Sequence, residues 1–152
     1  MYEAFGPGNS LFIVETLTDN TNRALTEVRS TITKKGGHMG TVAYNFTQAG
    51  VITFKGDNRD AVEEALILGD VDVREVNEDE GLIEVIVEPT AFAKAKDALS
   101  ELGIKEFEEA EIAYLPNEYI EITDPEDRRK FDELCDMLDE LQDVQNVYHN
   151  VK

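Results

Sequence analysis

Hydrophobic and polar positions along this chain follow two rhythms, one near two residues and one near 3.6. Behind the turn-prone Gly6-Pro7-Gly8, the run Ser-Leu-Phe-Ile-Val-Glu-Thr-Leu predicts a strand over 10–17. Asp19 or Asn20 can then cap a helix over 21–35, with Leu25, Val28 and Ile32 as its apolar stripe. Gly36-Gly37 ends it, and short strands over 41–46 and 51–54 flank a turn at Gly50. The middle of the chain predicts α-β-β-α-β. Asp60 and Glu63 have capping-box spacing before Ala65, Leu66 and Leu68. A hairpin of 71–76 and 82–88 turns at Asp79-Glu80-Gly81, and Thr90 caps a helix facing inward with Phe92, Ala95, Leu99 and Leu102. A strand over 106–114 then buries Ala110, Ile112 and Tyr114. The tail predicts a strand over 119–123 and a helix over 125–142 opened by Asp124-Pro125. That helix carries the stripe Phe131, Leu134, Leu138 and Leu141, and a last strand covers 144–151.

These elements predict an α+β fold of two small α/β domains built from ferredoxin-like βαβ units. The opening β-α-β-β and the closing β-α-β are half-units that complete one another. Residues 1–56 plus 117–152 would form a split domain, with 57–116 inserted in it.

Composition adds a gradient to this pattern. The chain has 152 residues, 14 Lys+Arg, 33 Asp+Glu and a formal charge of −19. Its 41% hydrophobic content is enough for a core, which argues against disorder despite the charge. No apolar run is long enough to span a bilayer and no signal segment opens the chain, predicting a soluble, cytoplasmic protein without a membrane partner. By segment the charge is +1 over 1–56, −13 over 57–116 and −7 over 117–152. The acidity therefore argues against phosphate contact for the later blocks only.

Catalytic chemistry finds little support. His38 and His149 lack metal-ligand spacing, and the single Cys135 sits beside Leu134 on a helix as a packed small residue. Gly36-Gly37-His38-Met39-Gly40 looks like a phosphate cradle, but it follows a helix where the dinucleotide fingerprint precedes one. The carboxylates are too numerous to mark one acid or base. No enzyme, metal or cofactor is predicted. The better clue is the basic cluster Arg23, Arg29, Lys34 and Lys35. Arg23 and Lys34 lie about 20° apart on the helical wheel, with Arg29 pointing elsewhere. A bland reading stands beside it, because Arg23 can pair with Glu27 and the two lysines suit the helix C-terminus.

Three stretches together resemble the YebC/PmpR family, which includes mitochondrial translational activators of cytochrome oxidase. They are Tyr2-Glu3-Ala4-Phe5-Gly6-Pro7-Gly8; the segment from Leu17-Thr18-Asp19-Asn20-Thr21-Asn22-Arg23 through Glu27-Val28-Arg29 to Gly36-Gly37-His38-Met39-Gly40; and 141–150, ending Tyr148-His149-Asn150. The resemblance covers essentially the whole chain. It implies a basic N-terminal helical domain followed by two α/β domains, one inserted in the other. On that pattern this acidic chain is expected to be truncated, as a fragment or a short natural form. It also lacks the few residues, with a Gly-Ser pair, that members usually carry after Gly40.

The resemblance further implies a non-enzymatic transcriptional regulatory protein associated with DNA, or a ribosome-associated translation activator contacting ribosomal RNA. The residues carried over as nucleic-acid-binding are Asn20, Asn22, Arg23 and Arg29. Lys34, Lys35 and His38 join them from the basic helix end and the glycine loop. Tyr148, His149 and Asn150 match as well, in a strand motif that structure alone could explain. Binding by this chain alone is expected to be weak. A competing reading makes the acidic middle block an interaction module for a basic protein partner.

Overall fold

A computed structural model describes residues 1–152. The fold is α+β, with four helices and two four-stranded sheets. In chain order the elements are β1 (Tyr2–Phe5), β2 (Leu11–Thr16), α1 (Thr21–Lys34), β3 (His38–Met39), β4 (Phe46–Lys55) and α2 (Arg59–Leu68). They continue with β5 (Val73–Asp79), β6 (Leu82–Val87), α3 (Phe92–Glu101), β7 (Glu109–Pro116), α4 (Pro125–Glu140) and β8 (Val144–His149). The chain divides into two compact units, residues 1–47 with 114–152, and residues 48–113.

In the first unit the strands lie in the order β3-β1-β2-β8, antiparallel throughout. Register sets Phe12 opposite His149 and Val14 opposite Val147, so residues from the two ends of the chain share one ladder. Alternation then sends Ala4, Phe12 and Val14 to one face, where Val28 and Ile32 of α1 and Phe131, Leu134 and Leu138 of α4 cover them. Ile13 goes to the other face, with Val42 and Phe46. Each helix buries a stripe at i, i+3, i+4 spacing. Truncating one such fully buried leucine, Leu134 or Leu138, costs about 2–5 kcal/mol.

The second unit runs β-α-β-β-α-β with strand order β5-β6-β4-β7, the ferredoxin-like arrangement. Its core joins Ile52, Phe54, Ile83, Val85 and Val87 of the sheet to Val62 and Leu66 of α2 and Ala95 and Leu99 of α3. Glu80 and Gly81 both take positive φ (48° and 80°), so the β5–β6 hairpin closes on a two-residue turn matched to strand twist.

Several expectations are revised. Residues 48–56, expected in the split domain, lie in the inserted unit. They form most of β4, which sits between β6 and β7 and completes a block that otherwise lacks its first strand. Ala43–Asn45 makes a 3-10 turn where a strand over 41–46 was expected. Tyr2–Phe5 is an unexpected strand. The expected strand over 119–123 is reduced to one parallel bridge, Ile120 to Val151. Asn58, not Asp60, caps α2 by accepting from the Ala61 amide, and Thr90 sits in a 3-10 turn ahead of α3 without capping it. Strand β7 buries Ala113 and exposes Ile112, the opposite phase from the one expected. A one-residue shift of phase exchanges every side chain between faces.

Gly37 fixes how α1 turns into β3. A Cβ there would lie 2.3 Å from the Phe5 carbonyl oxygen and 2.8 Å from Ile32, whereas at Gly36 it would meet nothing. Gly36 has φ of +83°, so its replacement by alanine carries only backbone strain, about 1–2 kcal/mol. Gly37→Ala is therefore expected to lower the thermal midpoint more than Gly36→Ala. Denaturation scans giving the reverse order would show that the β1–β3 contact yields easily.

Candidate nucleic-acid interface

The candidate surface is built on α1. Asn20 starts the helix, its Oδ1 accepting from the Arg23 amide at 3.0 Å, while the Thr18 hydroxyl accepts from the Asn20 amide at the same distance. Asn20 is thus occupied as a cap. The helix then sets Ala24, Val28, Thr31 and Ile32 inward. Diametrically opposite, at about 100° per residue, lie Asn22, Thr26, Arg29, Ser30, Thr33 and Lys34. All six are exposed, and five of them, Thr26 to Lys34, line a shallow open groove. Arg29 and Lys34 stand on its two rims with hydroxyls between them. Neither makes an ion pair. Glu27, the acid within α1, lies two turns before Lys34 and about 20° from it on the wheel, and forms no ion pair with it.

The other expected residues are engaged elsewhere. Arg23 forms a bidentate pair with Asp143, Nε to Oδ2 at 3.0 Å and Nη2 to Oδ1 at 2.8 Å. The Asp143 side chain is 6% exposed, and its backbone carbonyl accepts from the Leu17 amide at 2.9 Å. The guanidinium holds the Asp143 carboxyl below its usual range, and Asp143 raises Arg23 in return. Arg23 therefore ties α1 to the start of β8, and its expected partner Glu27 is not the one it takes. Lys35 pairs with Glu133 of α4, which its ammonium and then Arg129 hold below the carboxylate norm. His38 lies beyond the glycine turn in β3, exposed and stacked on Phe5 at 4.9 Å between ring centroids. Of the seven expected residues, the structure gathers Asn22, Arg29 and Lys34 on one face and separates Asn20, Arg23, Lys35 and His38 from it. The hydroxyls Thr26, Ser30 and Thr33 were missed, although their i, i+4, i+7 spacing was the available signal.

His149 is structural. Its Nδ1 accepts from the Val151 amide at 3.1 Å, its ring meets Phe131 edge-on, and burial followed by Arg128 lowers its pKa. Cys135 is half-buried, and burial with Asp139, Asp132 and Asp136 pushes its thiol up to about 12. That is the reverse of an activated nucleophile.

The second unit holds most of its cations in local pairs. Lys55 meets Glu108, Arg59 meets Glu63 and Asp60, Arg74 meets Glu88, and Lys94 meets Asp70. Its acidic excess is left uncompensated. On β7, desolvation and then the neighbouring Glu111 raise Glu109 to about 7, with a smaller contribution from Glu84.

Comparison with known proteins adds a lineage to this geometry. The family model for the TACO1/YebC second and third domain matches residues 1–151. A "probable transcriptional regulatory protein" of Hydrogenovibrio crunogenus is 46% identical over 155 residues, 99% of this chain and 65% of that protein. YcdB of Lactococcus lactis, named in the same words, is 46% identical over 153 residues, covering 99% and 64%. YeeN of Escherichia coli K12 is 45% identical over the same length and coverage. A conserved hypothetical protein from Aquifex aeolicus superposes with a TM-score of 0.85 at 31% identity, over 99% of this chain and 63% of that one. The chain thus spans less than two thirds of the length of these relatives.

Two titrations of opposite sign follow from the geometry. Asp143 ionises more readily when folded, so its pair stabilises above about pH 4 and is lost as pH falls through the native value. Asp143→Asn is expected to lower the thermal midpoint at pH 7, by an amount that shrinks on acidification. Glu109 holds its proton up to about pH 7 in the fold, so its contribution to stability falls as pH rises from about 4.5 to 7. Glu109→Gln should therefore raise the midpoint at pH 8 and change it little at pH 4. Midpoints parallel to the parent at every pH would refute either assignment.

Proposed function

Because the chain belongs to the TACO1/YebC family, we propose that it is a non-enzymatic, cytoplasmic, nucleic-acid-associated regulator of gene expression, with the outward face of α1 as its phosphate-contacting surface. The observation that carries this reading is the grouping of two free cations with hydroxyls on the outward face of α1. In a chain of net charge −19, Arg29 and Lys34 remain unpaired on the two rims of one groove. Phosphate contact needs cations that are not already neutralised, and Arg23 and Lys35 are. The Thr26 and Ser30 hydroxyls between the rims are neutral donors of the kind that accompany such contacts, while the Thr33 hydroxyl donates to the Arg29 carbonyl at 2.8 Å. The relatives' names, as transcriptional regulatory proteins, support a nucleic-acid partner.

Two cations make a small footprint. Each neutralised phosphate contributes about −0.9 to the slope of log K against log salt on duplex DNA, so a slope near −2 and weak, sequence-independent binding are expected. Fluorescence anisotropy at low salt with duplex DNA and structured RNA measures both. Arg29→Glu with Lys34→Glu should abolish the salt-dependent binding at an unchanged thermal midpoint, whereas Arg23→Ala should lower the midpoint. Unaltered affinity in the double variant would remove α1 from the interface.

A second reading rests on the −13 charge over 57–116. With its cations held in local pairs, the inserted unit suits a basic protein partner. Capture of such a partner that survives the α1 double variant, but not charge reversal at Glu78 and Asp79, would favour it.

A further inference from the structure

Four scattered asparagines, one of them Asn150 of the Tyr148-His149-Asn150 motif, converge in the first unit. Asn9, Asn45, Asn117 and Asn150 line one cavity with Glu118 and Ile120. The cavity is tied together by hydrogen bonds. Asn9 sits at φ of 67°, a left-handed conformation that a short polar side chain tolerates. The Asn117 amide donates to the Asn45 carbonyl at 2.8 Å, and Asn117 Oδ1 accepts from the Thr47 hydroxyl. The Ile120 amide donates to the Asn150 carbonyl at 2.8 Å.

Asn150 is the central group. It is 5% exposed, and its Oδ1 accepts from the Leu11 amide at 2.8 Å. That donor fixes the orientation of the side-chain amide, so Nδ2 is the end left over. Nδ2 has no partner in the chain, yet it is not sealed from solvent, which leaves it facing the cavity. An amide that reaches solvent with both N–H donors unused by the chain is open to an acceptor that a ligand brings. Opposite in character are Glu118, whose carboxylate only accepts, and Asn45, whose Nδ2 donates to the Val42 carbonyl while its Oδ1 stays unused. The cavity thus presents donors beside acceptors over the apolar Ile120. Two exposed tyrosines adjoin its lining residues along the chain. Tyr119 lies between Glu118 and Ile120, and Tyr44 offers its carbonyl to Asn117 Nδ2.

We propose that this cavity is a nucleobase site, accepting one unstacked base of a single strand that carries an exocyclic amine next to a ring acceptor. Asn150 Nδ2 donates to the ring acceptor, and Glu118 or Asn45 Oδ1 receives the amine. Tyr119 and Tyr44 offer faces for stacking, the mode by which proteins hold splayed bases. Uracil, which lacks the amine, fits less well. This inference rests on the nucleic-acid reading for its biological meaning, but its chemistry is independent of α1.

The test is nuclear magnetic resonance of the full chain titrated with AMP, CMP, UMP and ribose 5-phosphate. AMP and CMP should shift the side-chain amide signals of Asn150, Asn45 and Asn9 and the Tyr119 ring, with ribose 5-phosphate leaving them in place. Asn150→Asp keeps the acceptor for Leu11 while removing the donor, and should abolish these shifts at an unchanged fold. Tyr119→Ala, at an exposed position without a change of charge, should weaken AMP binding roughly tenfold. Equal shifts with UMP would overturn the base-edge assignment. Shifts with ribose 5-phosphate, or with an N-acetylated glycinamide in place of nucleotide, would overturn the site as a base pocket. No shift with any nucleotide would refute the inference even if duplex binding through Arg29 and Lys34 were intact.

Discussion

Pairing of β2 with β8 is the constraint on which the first unit depends. It sets residues 11–16 against 144–149, so nearly the whole chain is the loop that this ladder closes. Closure entropy grows only with the logarithm of loop length, yet an unstructured loop of that size would still oppose the ladder by several kcal/mol. Two side-chain bonds bracket the pairing. Arg23 holds Asp143 just before β8, and Asn150 holds the Leu11 amide just after it. The insertion also shortens the loop in effect, because its own first and last strands, β4 and β7, are neighbours in one sheet. Once that unit is folded, the points where the chain enters and leaves it are already close.

Charge is distributed with the same economy. A net −19 puts carboxylates within reach of most cations, and eight of the 14 Lys and Arg side chains are ion-paired. Lys35 and Arg129 share Glu133, and Arg74 takes Glu88 in a two-bonded pair. Arg29 and Lys34 are among those left unpaired, and they share one outward helix face. Two unpaired cations set around hydroxyls on one helix face, more than the presence of positive charge, distinguish α1.

Local signals in the chain account for the helices and the hairpin, and long-range ones account for most of the rest. The stripes of α1 and α4 repeat at helical spacing, and Asp79-Glu80-Gly81 is a turn by composition alone. Strand β4 hides because Thr47-Gln48-Ala49-Gly50 breaks the apolar pattern. Only β6 and β7 on either side make those residues a strand, and with them the domain boundary. Strand β1 hides for a similar reason, as four residues held between β2 and β3. On the candidate surface, Asn22, Arg29 and Lys34 were legible from residue type and position. Arg23 was not, because its partner lies 120 residues away. The asparagine cavity was still less so, since its members come from four separate segments and only one belongs to a motif.

The split of the first unit also orders events during synthesis. The second unit is complete at residue 113 and can fold as soon as it leaves the ribosome. The first unit cannot close at that point, because Phe12 and Val14 lack β8 and the α4 face until synthesis has run on from residue 113 to residue 149. At about 5–20 residues per second, the opening strands wait roughly 2–7 s more with their apolar side chains uncovered. During that interval β1, β2 and α1 are tethered to a folded, strongly acidic neighbour whose like charges repel other copies. The inserted unit thereby acts as a built-in solubility tag for the half-made domain around it.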